Sequence, residues 1–461
     1  MPGYANWRQL YQEEYFQLQQ EGYDVSGKED GDVEKGEYLP FPNTKSSFEI
    51  LTEEEEKFWR DAYARLEKTK DLGLRKDFPY YEPETLQEIL KTGMNAPTLL
   101  LLKQEDYLDR LKGAILGRST GVILGKPLEM GFDRKKIREY LESVGQYPLN
   151  DFVVEYSEKL NLRLRKDCVP STKGNVQYIQ PDDDMHYTIL SLLLAEQKGE
   201  EFEAEDIGKL WVENIPYHWC WCASRQAYWQ YVNLEEGPGR AQRLKDIPNT
   251  LNPWRECIDG QIRTDMWGYL NPGNPEAAAK TAYRDCSFSL TKNGIYGGMF
   301  VAGCLAGAMT EKTDTKTILR AGLSVIPEKS RLAEAVRNVM QWYQETPEDW
   351  IRVCDKIYDA YGDLPFAATI NNLAIVTLAI LYGNLDHTKT ITTAVMCGLD
   401  TDCNAGTAGS IVGAAVGKSG IEKRWYEPFN DKIKTVVASF GEGSISEIVD
   451  RIYRIYKTKN K

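Results

Sequence analysis

Two clusters of aspartate in this chain have the residue types and spacing to hold hard cations. The first is Gln180-Pro181-Asp182-Asp183-Asp184-Met185-His186-Tyr187-Thr188, which runs directly into the apolar stretch 189–195. Three consecutive aspartates inside a helix would fan out about 100° apart and repel one another. They belong instead at a helix entry, where free N–H groups and the positive end of the dipole accept anions. Pro181 supports that placement, because proline is tolerated at or before a first turn and keeps Gln180 extended. An ordinary N-cap needs one aspartate, not three. The second cluster is Cys397-Gly398-Leu399-Asp400-Thr401-Asp402-Cys403-Asn404, ahead of a helix of small residues. Asp400 and Asp402, two apart in an extended loop, point to one side, and Asp402 is placed to cap the helix that follows.

If the two helix starts meet, their carboxylates converge in a partly buried space, an arrangement that is costly unless cations neutralise it. Mg²⁺ or Mn²⁺ suits such an oxygen-rich set. A pair of these ions would bring a bound water close to deprotonation at neutral pH and grip vicinal hydroxyls of a sugar. That chemistry predicts a metal-assisted hydrolase.

Composition narrows the alternatives. The 461 residues are 42% hydrophobic and 27% charged, enough to bury a sizeable core. A net charge of -13 repels phosphate backbones and anionic lipids, which argues against nucleic acid or a membrane surface as the main partner. No stretch approaches the roughly 18 apolar residues of a spanning helix, in keeping with a mean hydropathy of -0.49. The first residues lack a basic and apolar export signal, and nine scattered cysteines without a CxxC pair suit a reducing cytoplasm. Three histidines are too few and too dispersed for a His-based metal site.

Helical periodicity must position the clusters. It runs through 106–125, 187–199, 276–285, 297–310, 330–346, 369–383 and 404–418, while one short strand pair is expected near 152–156 and 160–164. Residues 1–100 read as an accessory helical extension ahead of a main domain at 101–461. Within the extension, 22–38 is an acidic, glycine-rich loop, and Thr52 with Glu55 has the spacing of a capping box for a helix reaching Gly73. Gly409, Gly413 and Gly417 recur every four positions, which leaves one helix face nearly bare for a close neighbour.

These motifs resemble the ADP-ribosylglycohydrolase family. Gly113 through Gly117, Gly121, Gly125, Pro127 and Glu129 is similar to the family's opening GxxxGxxxGDxxGxPxE. Asp182-Asp183-Asp184 with Tyr187-Thr188 resembles its TDDTxMT segment, and Asp400-Thr401-Asp402-Cys403 followed by Gly409 resembles its GGDTDTxxxxxG segment. The resemblance spans about 101–425. It implies an all-α, compact orthogonal helical bundle with two Mg²⁺ (or Mn²⁺) ions, and hydrolysis of the bond from ribose to a protein side chain.

Residue by residue, the resemblance implies Asp182, Asp183, Asp184, Asp400 and Asp402 as metal ligands, with Asp183 and Asp400 serving catalysis. Cys403 stands at a ligand position as a soft thiol where a hard hydroxyl is expected. Glu129 matches the glutamate that acts as acid or base beside the scissile bond. The stretch 292–298 resembles a glycine-containing loop that receives a diphosphate or ribose, which implies substrate contacts at Asn293, Gly294, Tyr296 and Gly297. Two positions depart from the pattern: Val122 replaces an aspartate, and Leu290 falls where many members have histidine.

Other residues have plainer readings. Trp211, Trp219, Trp221 and Trp229, with Tyr217, Tyr228 and Tyr231, either stack a ring of the substrate or fill core and subunit contacts. His186 reads as a core or supporting histidine, Arg263 and Asp265 as an ion pair or phosphate contact, and Cys220 and Cys222 as small hydrophobes. Three functions fit: an ADP-ribosyl hydrolase acting on a small molecule or a modified protein, the same scaffold cleaving another N- or O-glycoside or nucleoside, and a binding protein that keeps the fold without catalysis.

Overall fold

The computed structural model describes residues 3–27 and 50–460, so most of the acidic glycine-rich stretch lies outside the described residues. The helices that build the site are α1 (Trp7–Gln20), α2 (Glu53–Glu67), α3 (Gln104–Gly125), α4 (Asp183–Lys198), α5 (Cys222–Val232), α6 (Lys292–Ala308), α7 (Thr369–Gly383) and α8 (Thr401–Val416). Further helices surround them. Among the described residues the strands are confined to two short antiparallel pairs, β1 (Tyr156–Ser157) with β2 (Leu162–Arg163) and β3 (Lys432–Lys434) with β4 (Glu442–Ser444). The first pair falls at the edge of the region where alternation predicts one, β1 sharing only Tyr156 with the expected 152–156 and β2 lying inside 160–164. Among the described residues, no helix is long and apolar enough to cross a membrane.

Local signals set the helix limits. Thr52 and Glu55 form the reciprocal capping box at the start of α2, and the chain leaves through a 3₁₀ turn that stops at Gly73. Every residue of α6 is buried, as are nearly all of α7 and α8. Their apolar character runs round the whole helix because they form the centre of the bundle.

The closest approach is between α3 and α8, which run antiparallel. Gly113, Gly117, Gly121 and Gly125 meet Gly413, Gly409, Ala405 and Thr401 in turn, and a Cβ added at Gly117 would strike the Gly409 carbonyl oxygen. Backbone therefore packs on backbone, and the Thr401 hydroxyl donates to the Gly125 carbonyl at 2.9 Å. This contact carries the C-terminal end of α3 to the N-terminal end of α8. It explains why the four-residue glycine period extends through both helices.

The residues before 100 share the bundle's core: Tyr4, Leu10, Leu18, Tyr63 and Ile89 lie in the same hydrophobic cluster as α3 to α8. Buried ion pairs reinforce the join. Arg255 reaches Glu14 at 2.6 Å and Glu21 at 2.7 Å, Lys292 reaches Glu21 at 2.6 Å, and Arg331 binds both Glu82 and Glu256 at 2.7 Å. Burial alone would raise the carboxyls of Glu14 and Glu21, but Arg255, with Lys70 and Lys292, holds both below the usual range. Glu67 behaves in the opposite way, since burial and the adjacent Glu14 charge push it up to about 7. A segment that reads as accessory is thus wired into the core by charges that are stranded if either partner is lost.

Two outcomes follow from this packing. Gly117→Ala should cost about 1–3 kcal/mol of stability, read as a lower denaturant midpoint with an unchanged slope. Glu67 has a folded pKa above its unfolded value, so its contribution is fully present below about 4.5 and is lost as pH rises through about 7. Glu67→Gln should therefore flatten part of the fall in stability between pH 5.5 and 8 in paired unfolding curves. Identical slopes for variant and wild type would refute this.

Candidate metal centre

Three helix ends converge at one point of the bundle. The end of α3 passes through a tight turn, Lys126–Leu128, to Glu129. The chain enters α4 through Gln180 and Pro181, with Asp182 as the extended N-cap residue, Asp183 first in the helix and Asp184 second. Asp182 Oδ1 accepts the Asp184 N–H at 3.1 Å. The placement at a helix entry is the one the sequence predicts, and only one of the three carboxylates is used as a cap.

At the start of α8 the cap differs from expectation. Asp400, not Asp402, is the N-cap residue and accepts the Cys403 N–H at 3.3 Å, while Asp402 already lies in the first turn. The loop expected to be extended is shorter, because Gly398 and Leu399 both take left-handed φ of 79° and 58° and turn the chain sharply into the helix. For a leucine this is a strained conformation, the kind that surrounding packing must hold in place. Asn372 of α7 steadies the turn: its Oδ1 accepts from the Asp400 N–H at 3.3 Å and from Asn404 at 2.7 Å.

The two acidic segments, more than 200 residues apart in sequence, meet. Ligand oxygens of Asp182, Asp184 and Asp402 all lie within 4.8 Å of one another, and so do those of Asp400 and Asp402 with the Cys403 sulfur. Asp402 belongs to both groups. Lys126 donates to Asp182 at 2.5 Å, and Arg118, buried within α3, donates to Asp184 at 3.0 Å and to Asp265 at 3.2 Å. Asp183 and Glu129 are half-buried, and with Asp182, Asp400 and Asp402 they line a cavity of about 560 Å³. Asp184 stands behind that wall.

Electrostatics show what the site demands. Burial, then the neighbouring aspartates, push Asp183, Asp184 and Asp400 well above the usual carboxylate range, and Asp402 is raised for the same reasons. Glu129 is also well above it, through burial and then the charges of Asp402 and Asp182. Lys126 and Arg118 do not balance six carboxylates, and Arg118 is shared with Asp265. Apart from the Cys403 thiol, the ligand groups facing the cavity are carboxylate oxygens, so the set fits hard divalent cations rather than soft ones. The Cys403 sulfur sits with Asp400 and Asp402 as its position implies, and its thiol also donates to Asp184 Oδ2 at 3.1 Å, with burial pushing it well above the usual thiol range. It orients a carboxylate.

Comparison with known proteins agrees with this geometry. A family model described as ADP-ribosylglycohydrolase matches residues 103–460. The chain belongs to the ADP-ribosylglycohydrolase family. It is accordingly a hydrolase acting on glycosidic bonds, in a family that depends on metal ions. No curated protein sequence matches it. A solved structure titled "ADP-ribosylglycohydrolase-related protein complex" is 16% identical, with 77% of this chain and 99% of that chain covered at a TM-score of 0.47.

Within this family member, the residues at 292–298 are not where the resemblance implies. They form the first turns of α6 rather than a loop and do not line the cavity. Asn293 donates to Glu82 and Glu256, each at 2.8 Å, and accepts from the Leu332 N–H; Tyr296 donates to the Pro83 carbonyl at 2.5 Å. Gly294 and Gly297 make room for the Arg255 carbonyl and the Thr369 side chain. Asn293 and Tyr296 serve the join between bundle and N-terminal segment, while Gly294 and Gly297 serve close packing inside the bundle. Leu290 and Val122 are core residues with no exposure, so neither offers a polar group to the site.

Arg263 is likewise structural, held by Asp285 at 2.9 Å and by Ser289 at 2.9 Å. His186 accepts the Val436 N–H and packs edge-on to Trp219, and burial brings it down to about 4, so it is neutral. All nine cysteines are buried and free. Sequence reasoning passed over Arg118, Lys126 and Asn372. Arg118 had a visible signal, a lone charge in the otherwise small and apolar run Gly113–Gly125.

Because Asp402 is shared by both groups, Asp402→Asn should weaken Mn²⁺ binding by more than roughly 100-fold, beyond the range expected for loss of a supporting partner. Titration calorimetry would measure it, with the far-ultraviolet circular dichroism unchanged. Wild-type affinity in the variant would remove Asp402 from the site.

Proposed function

We propose that this glycohydrolase cleaves a ribosyl glycosidic bond, and that its substrate is an ADP-ribosyl group linked to a protein side chain. Asp182, Asp183, Asp184, Asp400 and Asp402 would hold two Mg²⁺ or Mn²⁺ ions. The observation that carries this reading is the position of Asp402, common to two ligand groups and beside a half-buried Glu129 in one cavity. When bound, the ions supply an activated water and a grip on the ribose hydroxyls.

The chain's own residues do the rest. Asp182 and Asp400 are fixed by helix-capping hydrogen bonds and Asp184 by Arg118, so the carboxylates cannot collapse away from one another. Asp183 faces the cavity without a side-chain partner among the described residues, which leaves its oxygens available to ligand or water. Glu129, held protonated by burial and neighbouring negative charge, carries a proton that can pass to the leaving atom as the glycosidic bond breaks. The arriving water keeps one proton as part of the new ribose hydroxyl and gives its other proton to the Glu129 carboxylate, which restores the acid.

A second reading has its own support. The residues that the resemblance assigns to diphosphate or ribose lie outside the cavity, so the part of the substrate beyond the ribose is held differently here. The same centre acting on another N- or O-glycoside or a nucleoside meets that observation.

A substrate panel separates the two. Release of free ADP-ribose from arginine- or serine-modified protein supports the first reading, and cleavage of simple glycosides without any release of ADP-ribose supports the second. In either case Glu129→Gln should lower kcat by roughly 10²–10⁴-fold while Mn²⁺ still binds. An unchanged rate would take Glu129 out of the mechanism.

A further inference from the structure

Three cationic side chains line the cavity. Lys126 is held by Asp182 at 2.5 Å, and Arg165 lies 3.4 Å from Asp167. Arg225, in α5, is different: among the described residues no carboxylate pairs with it. Its guanidinium carbon instead lies 4.9 Å from the ring centre of Tyr4, 4.7 Å from that of Tyr217 and 5.3 Å from that of Trp221. It also hydrogen-bonds with the Tyr4 and Tyr217 hydroxyls. Those contacts use only part of its five donors, and its Nε is buried without a partner. Rings attract a cation but do not neutralise it, so this guanidinium is short of a counter-charge.

The surroundings suit a planar, anionic ligand. Trp221 keeps 40% of its surface exposed at the cavity wall, which is unusual for the largest aromatic side chain. Tyr4 is buried, its ring 5.1 Å from Trp254, and its N–H donates to Gln226, the neighbour of Arg225, at 3.0 Å. It comes from outside the 103–460 region matched by the family model. The segment that delivers it is strapped to the bundle by the Glu14 and Glu21 pairs with Arg255.

We infer that Arg225, Tyr4 and Trp221 form a subsite for a phosphoryl group with an adjoining planar base, and that the N-terminal segment thereby selects the substrate. Arg225 takes the anionic oxygens through its unused N–H donors, Trp221 stacks the base, and Tyr4 fixes the guanidinium in place as a positioning residue. The choice of phosphoryl over another oxyanion rests on the ribosyl-hydrolase reading above. The subsite accounts for how a substrate is held beyond the ribose when residues 293–297 are turned away.

The test is calorimetric binding of ADP, with adenosine as the uncharged probe, to the full-length protein with Mg²⁺. ADP should bind both wild type and Asp402→Asn, because the subsite does not need the metal centre. Arg225→Gln should weaken ADP by roughly 10- to 100-fold and leave adenosine nearly unchanged. Trp221→Ala, at an exposed position that does not threaten folding, should weaken both, and Arg225→Lys should recover only part of the ADP affinity. The inference is overturned if wild type does not bind ADP, or if Arg225→Gln and Trp221→Ala, with native melting curves, bind it as wild type does. Release of ADP-ribose from modified protein with a wild-type KM in Arg225→Gln would sink the subsite and leave the ribosyl reading standing. Arg225-dependent ADP binding without any release of ADP-ribose would do the reverse.

Discussion

Six carboxylates within one buried corner repel one another, and the structure around them is arranged to hold that repulsion in a fixed geometry. Asp182, Asp183, Asp184, Asp400, Asp402 and Glu129 come from three separate helix ends, and Lys126 and Arg118 supply only part of the opposing charge. Left to relax, such groups would separate or take up protons, as the upward shifts of Asp183, Asp400 and Glu129 show. Three of them are held in place: Asp182 and Asp400 cap their helices, and Asp184 is clamped by an arginine that the helix core encloses. A site prepared in this way suits hard divalent ions, and the family depends on metal ions.

The rigidity comes from elsewhere in the bundle. Glycines on α3 and α8 let the two backbones touch along their length, and this contact sets Glu129 and Lys126 beside Asp402. Arg118 then ties α3 to the start of α4, so one helix positions both acidic segments. A residue larger than glycine in that seam would spread the helix ends as well as the seam. Stability and site geometry are therefore one problem in this protein.

Cys403 departs from the family pattern beside the carboxylates, and residues 293–297 depart from it on the substrate side. The carboxylates are all in place, whereas residues 293–297 have been taken over by contacts with Glu82, Pro83 and Glu256. Two of these partners, Glu82 and Pro83, belong to the N-terminal segment, whose glutamates meet Arg255, Lys292 and Arg331 in the interior. The same segment brings Tyr4 to the cavity wall. One segment thus contributes buried charge at one place and an aromatic ring to the cavity wall at another.

The sequence by itself determined the local facts. Helical periodicity marked the bundle, Thr52 and Glu55 announced their capping box, three adjacent aspartates after Pro181 had to stand at a helix entry, and a four-residue glycine spacing required a close neighbour. These follow from steric and dipolar rules acting over a few residues, which a sequence displays directly. Only the tertiary structure decided what lay far apart: that Asp402 joins Asp182, that Arg118 divides itself between Asp184 and Asp265, that 292–298 is helix sealed against the N-terminal segment, and that Tyr4 stacks on Arg225. Pairings of this kind depend on how whole helices pack, and no local spacing encodes which buried charge will meet which.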